Sequence, residues 1–408
     1  MAALKDGVIR RGKSWSYVIR VTDASGASRP RWVGGFPSED AAKAARDAAR
    51  VAARRGEFVD RSAITVEAYL SQWLSGHSLE VKPKTLEDYR SLIARYVVPR
   101  IGRVKLQAVR PSTLTGLYQT LLAEGGQSGR PLSARTVGYV HAVLRKAFND
   151  AVRTDQLLPS NPADRAKRPR ATVAPGVREV WDATQLVTFL DLVAAHRLLP
   201  FFRLAAFTGA RRGELLHLRW EDVRLDGSEP SVFIRGSVAV VAGRRVEGTT
   251  KSGRTRTVSI DDGTVAILRA HAELQGKERE RAGGSWRGSD HVFRMEIGSP
   301  LHADAPGSTM RDAVNAHNRR HPDAPLPPMR LHDLRHVHAT LLLRAGVPVH
   351  VVAARLGHAD PAITLRVYAH VLPQQASEVA QVFASMVDQS GDETSTVSNS
   401  VSKGLPRP

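Results

Sequence analysis

Four short segments in the C-terminal half of the chain place charged and polar side chains where packing alone would not choose them. In AAFTGARRGELLHLRW an apolar helix is expected to end at Thr208 and Gly209. Glycine permits a sharp bend there, so Arg211 can leave the helix end and point into a cleft. Glu214, three residues on, is placed to orient a guanidinium or to bond a backbone amide. In TTKSGRTRTVSI, Lys251 precedes a Ser-Gly turn; a lysine in a turn is ordinarily just solvated. In MRLHDLRHVHATLLLRAG, His332 and Arg335 share one helical face, while Leu334, Val337, Leu341 and Leu342 form the apolar stripe. In ARLGHADPAITLRVYAHVLP, Gly357 and His358 close one helix, Asp360 and Pro361 open another, and Tyr368 follows ten residues after His358. Taken alone, Tyr368 reads as a core tyrosine. Arginine forks match phosphate oxygens, histidine moves protons near neutral pH and tyrosine can act as a nucleophile, so the set has the makings of phosphodiester chemistry. A metal site is not expected: His332 and His338 lie about 240° apart around a helix, and no dense carboxylate set accompanies them.

The elements that must carry these groups can be read from periodicity. Beyond Arg178 the pattern predicts helices near 184–195, 199–208, 262–275, 307–318, 332–345, 349–356 and 360–369, with a strand region at about 231–260, giving a mainly α domain with a small β insertion. Upstream, residues 62–160 read as an all-α domain. Leu86, Tyr89, Ile93, Tyr96 and Val97 follow helical spacing behind a capping box at Thr85 and Asp88, one helix begins near Pro111, and another runs from Ser133 to about Thr154. Between the two lies a proline-rich basic stretch, 161–177, with Arg165, Lys167, Arg168 and Arg170 and no periodicity, read as a linker. Residues 1–60 predict strands at 15–21 and 29–35 around a turn at Ala24, Ser25 and Gly26, then a helix capped by Ser38 and reaching about Arg55. Arg20, Arg29, Arg31 and Trp32 on those strands would suit a sheet laid in a DNA groove, or an ordinary solvated face. Apolar spacing in QQASEVAQVFASMV predicts one more helix after Leu372, and residues 386–408 read as a disordered tail. The fold class is thus multidomain α+β: a small β-sheet-plus-helix module, an all-α domain, and a mainly α domain with a β insertion.

Composition points the same way. Lys and Arg number 59 against 40 Asp and Glu, a formal charge of +19, and residues 61–170 hold eighteen basic against eight acidic side chains. Polyanions are the expected partners. The absence of cysteine excludes a disulfide framework, a Cys-ligated metal and a catalytic thiol. No apolar run approaches the ~20 residues of a membrane span, and the start of the chain lacks a signal peptide's apolar core, so a cytoplasmic location without membrane contact is expected.

In order and spacing, the set Arg, Lys, His-x-x-Arg, Gly-His and Tyr resembles the tyrosine recombinase (phage integrase) family over about residues 62–385. The resemblance implies that Arg211, Lys251, His332, Arg335, His358 and Tyr368 are catalytic. It also implies that 62–160 is a SAM-like core-DNA-binding domain and 178–385 the catalytic domain, the two holding opposite sides of the core site. Residues 1–60 are similar, in size and pattern, to the arm-binding modules of lambda-type integrases. In such an enzyme Arg211 and Arg335 would hold the non-bridging oxygens, His332 and His358 would bond the phosphate or shuttle the tyrosine proton, Lys251 would protonate the departing 5′-oxygen, and Tyr368 would form a 3′-phosphotyrosine bond. That bond conserves the phosphoester's energy, so resealing requires no cofactor or metal. The family also implies double-stranded attachment-site DNA as substrate, four protomers exchanging strands through a Holliday junction, an excisionase and a DNA-bending protein as partners, and association with a bacterial nucleoid. A chromosome-dimer resolvase, a type IB topoisomerase-like enzyme and a non-catalytic DNA-binding protein of the same fold are the alternatives.

Overall fold

The structure, a computed structural model, describes residues 7–22, 28–54, 58–169 and 180–368. The turn at Ala24–Gly26, Arg55, residues 170–177 of the basic stretch, the helix after Leu372 and the tail all lie outside the described residues. The chain divides into two units, Met1–Gly176 and Val177–Pro408.

The first unit begins with an antiparallel sheet of β1 (Val8–Arg11), β2 (Ser14–Thr22) and β3 (Ser28–Phe36), in that order. Helix α1 (Glu39–Arg54) packs its alanine face, Ala42 and Ala49, against Val8, Tyr17, Ile19 and Phe36. Ser38 caps it as expected, its Oγ accepting from the Ala41 N–H at 3.2 Å. Strand β1 was not expected, because four residues between Gly7 and Gly12 are too few to show an alternation; pairing with β2, Val8 opposite Tyr17, makes it a strand. On the solvent side, Trp32 is exposed and the Arg11 guanidinium lies 4.3 Å over its ring.

The helical part holds α2 (Val66–His77), α3 (Pro83–Leu92), α4 (Val98–Ile101), α5 (Pro111–Glu124) and α6 (Ala134–Arg153) around a core that includes Tyr69, Leu70, Leu114, Leu121, Leu144 and Phe148. Tyr69 and Trp73 bury their rings and still satisfy their polar ends. The Tyr69 hydroxyl donates to the Ala147 carbonyl at 2.8 Å, and the Trp73 indole to Asp150 at 2.8 Å. Two expectations need correction. Thr85 and Asp88 are not a cap: α3 starts at Pro83, whose fixed φ and missing N–H suit the first helical position, so Thr85 is already inside the helix. Nor are residues 161–169 all linker. Pro162 and Ala163 are buried, Ala163 within this core, and Asn161 ties the turn down by donating to the Arg145 carbonyl at 2.9 Å.

The second unit comprises α7 (Ala183–Leu192), α8 (Leu199–Thr208), α9 (Arg212–His217), β4 (Val223–Arg224), β5 (Ser231–Ile234), β6 (Gly236–Val241), β7 (Arg244–Thr249), β8 (Arg256–Ser259), α10 (Asp262–Ala282), α11 (Ala305–Arg320), α12 (Asp333–Arg344), α13 (Val349–Leu356) and α14 (Pro361–Tyr368). The β insertion resolves into a three-stranded sheet, β4-β5-β8, and a β6-β7 hairpin. Phe189, Phe201, Phe202 and Phe293 fill the main core with Trp181. Helix α10 outruns its expected end at 275 by seven residues. Its apolar spacing stops there, but the buried Glu278 pairs with Arg197 at 2.7 Å and keeps the helix packed. Helices α12, α13 and α14 form a smaller core of Ala339, Leu343, Val352, Leu356 and Tyr368. Among the described residues no helix is long and apolar enough to cross a membrane.

Candidate active site

Helix α8 ends where the sequence places its break, at Gly209 with φ +64°. The turn delivers Arg211 to the N-cap of α9. Glu214, on the first turn of α9, accepts both from the Arg211 backbone N–H at 2.9 Å and from its guanidinium at 2.8 Å, the two roles expected for it. A second guanidinium, Arg256 of β8, reaches the same carboxylate at 2.8 Å. Glu214 is buried. Burial alone would raise its pKa, but the hydrogen bond and charge of Arg256, with the N–H and charge of Arg211, hold it below the ordinary value. It therefore stays ionised and braces two arginines.

Arg335 lies in the first turn of α12 and is 4% exposed. It donates to the Gly209 carbonyl at 2.7 Å and the Leu356 carbonyl at 2.8 Å. Both acceptors stand at helix C-termini, those of α8 and α13, where aligned peptide dipoles carry partial negative charge. Burial, then the neighbouring Arg211, pushes its pKa down to about 9, which still leaves it cationic at neutral pH. Two of its five N–H donors are used on the carbonyls.

Gly357 ends α13 with φ +69°, and a Cβ there would stand 2.8 Å from the Arg256 guanidinium. His358 follows, with Nδ1 2.6 Å from the Thr364 hydroxyl on α14. Burial, then Arg335, Arg211 and Arg256, brings its imidazole down to about 4. His332 sits at the N-cap of α12 with one side open to solvent. Its ring meets His336 edge-on, with centroids 5.6 Å apart. Packing on its protein side, then the charges of His336 and Arg335, pulls it to about 4. Tyr368 is the last residue of α14. Its ring is core, as its spacing suggests, but its hydroxyl reaches 2.7 Å from His336 Nδ1. Burial pushes the phenol up to about 12, with Arg335 pulling the other way.

Mutual fields thus bring Arg211, His332, Arg335, His358 and Tyr368 together in one positively charged cluster. Lys251 is not tied in. It is exposed in the turn between β7 and β8, which Thr250 closes by donating to the Arg254 carbonyl at 2.7 Å, and no described residue pairs with it. Two groups were passed over in the sequence. Arg256 was legible as the first of three alternating inward positions, followed by the buried Val258 and Ile260. His336 was the other, although its spacing of four from His332 places both on one face. His338 donates from Nδ1 to the Ala206 carbonyl and accepts from Arg355 at Nε2, which fixes it inside the fold.

Two predictions follow from these contacts. His338 and His358 are both held near 4, burial being the first cause in each. The unfolded chain takes up their protons from about pH 6.5, so their contribution is complete above pH 6.5 and is lost as pH falls toward 4. Thermal melts across that range should show the loss, and His338→Gln should lessen its slope. His332, being exposed, is screened and adds little. Gly209→Ala should cost about 1–2 kcal/mol in backbone strain. It should also displace neighbours, because the new Cβ would stand 2.6 Å from Leu356 and 2.9 Å from His338. Gly243→Ala, at φ +75° with nothing nearby, is the strain-only control and should melt higher.

A mainly α domain that clusters arginines, histidines and a tyrosine hydroxyl has the groups that phosphodiester chemistry uses. Comparison with known proteins places it: residues 180–375 match the Phage integrase family, and residues 65–122 match the N-terminal SAM-like domain of phage integrases. The chain belongs to the tyrosine recombinase (phage integrase) family, whose members cleave and rejoin DNA strands. It is 27% identical over 404 residues to the tyrosine recombinase XerC-like protein of Caldanaerobacter subterraneus subsp. tengcongensis, covering 93% of this chain and 98% of that one. It is 25% identical over 334 residues to the ICEBs1 integrase of Bacillus subtilis, covering 80% and 86%. Its fold is that of the Tn1549 transposon integrase solved with a circular intermediate DNA, with TM-score 0.66, 18% identity, and coverage of 78% of this chain and 99% of that one.

Proposed function

We propose that the chain is a site-specific recombinase of an integrative element or phage, and that Tyr368 is its nucleophile. The observation that carries this reading is the placement of the Tyr368 hydroxyl beside a cationic cluster whose positive charges, Arg211 and Arg335, are supported by one buried carboxylate and two helix C-termini. The Tyr368 oxygen attacks the scissile phosphorus. Arg211 and Arg335 hold the non-bridging oxygens as negative charge builds on them. His332 and His358, neutral near pH 7, donate hydrogen bonds to the same phosphate. Lys251, on its exposed turn, swings in to protonate the 5′-oxygen as the P–O5′ bond breaks. The 3′-phosphotyrosine then waits for the 5′-hydroxyl of another strand, which reverses each step.

The same reading assigns residues 1–60 to arm-site DNA, with Arg20 and Trp32, which share the face of the sheet turned away from α1, toward the groove, and residues 62–160 to the core site. It further assigns a tetramer on two duplexes, an excisionase and a bending protein as accessory partners, and action at the bacterial nucleoid. The test is covalent trapping. The purified chain is incubated with a nicked suicide duplex spanning the attachment site read from the DNA flanking its gene. A denaturation-resistant protein–DNA adduct mapped to Tyr368 is the expected result, and an adduct on any other residue would overturn the assignment.

A further inference from the structure

We propose that His336 is the base that takes the Tyr368 proton during strand cleavage and returns it on rejoining. This inference rests on Tyr368 being the nucleophile. A general base must lie within about 2.6–3.2 Å of the proton it removes. His336 Nδ1 lies 2.7 Å from the Tyr368 oxygen, while the Nδ1 of His358 is engaged with Thr364 and His332 meets the edge of His336 rather than the phenol. A phenol is the better donor and an imidazole nitrogen the better acceptor, so the bond runs from Tyr368 O–H to Nδ1 and places the ring proton on Nε2. The tyrosine needs such a partner. With its pKa pushed up to about 12, only about one phenol in 10⁵ would be ionised at pH 7.

The two residues come from different elements. His336 is on α12 beside Arg335 and His332, and Tyr368 is at the end of α14, whose Thr364 holds His358. Among the described residues, the titratable groups that face His336 include His332 at the start of its own helix, His358 from the end of α13, and Tyr368 itself, with the Arg335 cation next to it in the chain. In the forward step the Tyr368 O–H electron pair forms the O–P bond, the proton passes to Nδ1, the P–O5′ bond breaks, and the 5′-oxygen takes a proton from Lys251. In the reverse step the incoming 5′-hydroxyl returns its proton to Lys251, and the departing phenolate recovers its own from His336. The imidazolium formed meanwhile adds one more positive charge beside the phosphorane.

The experiment measures single-turnover adduct formation by the full-length chain on the nicked suicide duplex, from pH 5.5 to 9.5. His336→Asn retains a side-chain amide near Nδ1 but cannot accept a proton at neutral pH. It should bind DNA normally and form adduct about 10²–10⁴ times more slowly. The wild-type rate should rise with pH and level off, whereas the His336→Asn rate should go on rising. A 5′-bridging phosphorothiolate, whose thiolate leaves unprotonated, separates the base from the acid: Lys251→Ala should recover on it and His336→Asn should not. Wild-type rate and pH profile in His336→Asn, or its recovery on the phosphorothiolate, would overturn the proposal. If His336→Asn melts early or loses DNA binding, His336→Ala decides, with recovery by added imidazole expected and its absence contrary. An adduct formed by Tyr368→Phe would instead remove the nucleophile reading beneath it.

Discussion

Tyr368→Phe should fold, bind attachment-site DNA and form no covalent complex. The ring stays in the small core with Leu343, Val352 and Leu356, so packing is unchanged. The substitution removes one hydroxyl and its hydrogen bond to His336, a net cost of about 0.5–1.5 kcal/mol, and the melting temperature should fall by only a few degrees. Chemistry is lost altogether, because no other described hydroxyl in the cluster replaces the tyrosine: Thr364 is buried and committed to His358. Gel-shift affinity and adduct yield, measured on the same preparation, separate the two effects. Binding within a few-fold of wild type with no adduct is the expected outcome, and an adduct at normal yield would end the assignment.

Replacing the arginines should also stop cleavage, but with different effects on stability. Removing one preorganised cation from a developing phosphorane should cost about 10²–10³ in rate, so Arg211→Ala and Arg335→Ala should each bind DNA and cleave at that level or below. Arg211→Ala leaves Glu214 still paired with Arg256 and should melt close to wild type. Arg335→Ala leaves the Gly209 and Leu356 carbonyls without their donor inside the fold, at about 1–3 kcal/mol each, and should melt well below Arg211→Ala. Equal melting temperatures would show that the two carbonyls are satisfied in some other way.

Most of the framework was legible because its signals are local. The break after Thr208, the cap at Ser38, the helices from Leu199 and Val349, and the double role of Glu214 all depend on residues within four positions of one another. The misreadings come from signals that compete or act at a distance. Thr85 and Asp88 have the spacing of a cap, but Pro83 starts the helix first. The end of α10 looks too polar to be packed until Arg197, 81 residues away, is known to meet Glu278. In the candidate site, Arg256 joins Glu214 across 42 residues and His336 joins Tyr368 across 32. Spacing along the chain carries no record of such pairs, and only the fold makes them neighbours. Lys251 is the opposite case, since family resemblance marks it and no hydrogen bond or ion pair among the described residues holds it.

The carbonyl cradle of Arg335 bears on how such a site tolerates mutation. A guanidinium braced by carboxylates can be set adrift by changing any one of them, but main-chain oxygens cannot be substituted away. The position of this cation is thus inherited from the path of the backbone, and most drift in the surrounding side chains should leave it undisturbed. The vulnerability moves to the two places where that path turns left-handed, Gly209 and Gly357. There a single methyl group would disturb the carbonyls that hold Arg335, although neither glycine touches that guanidinium with a side chain of its own.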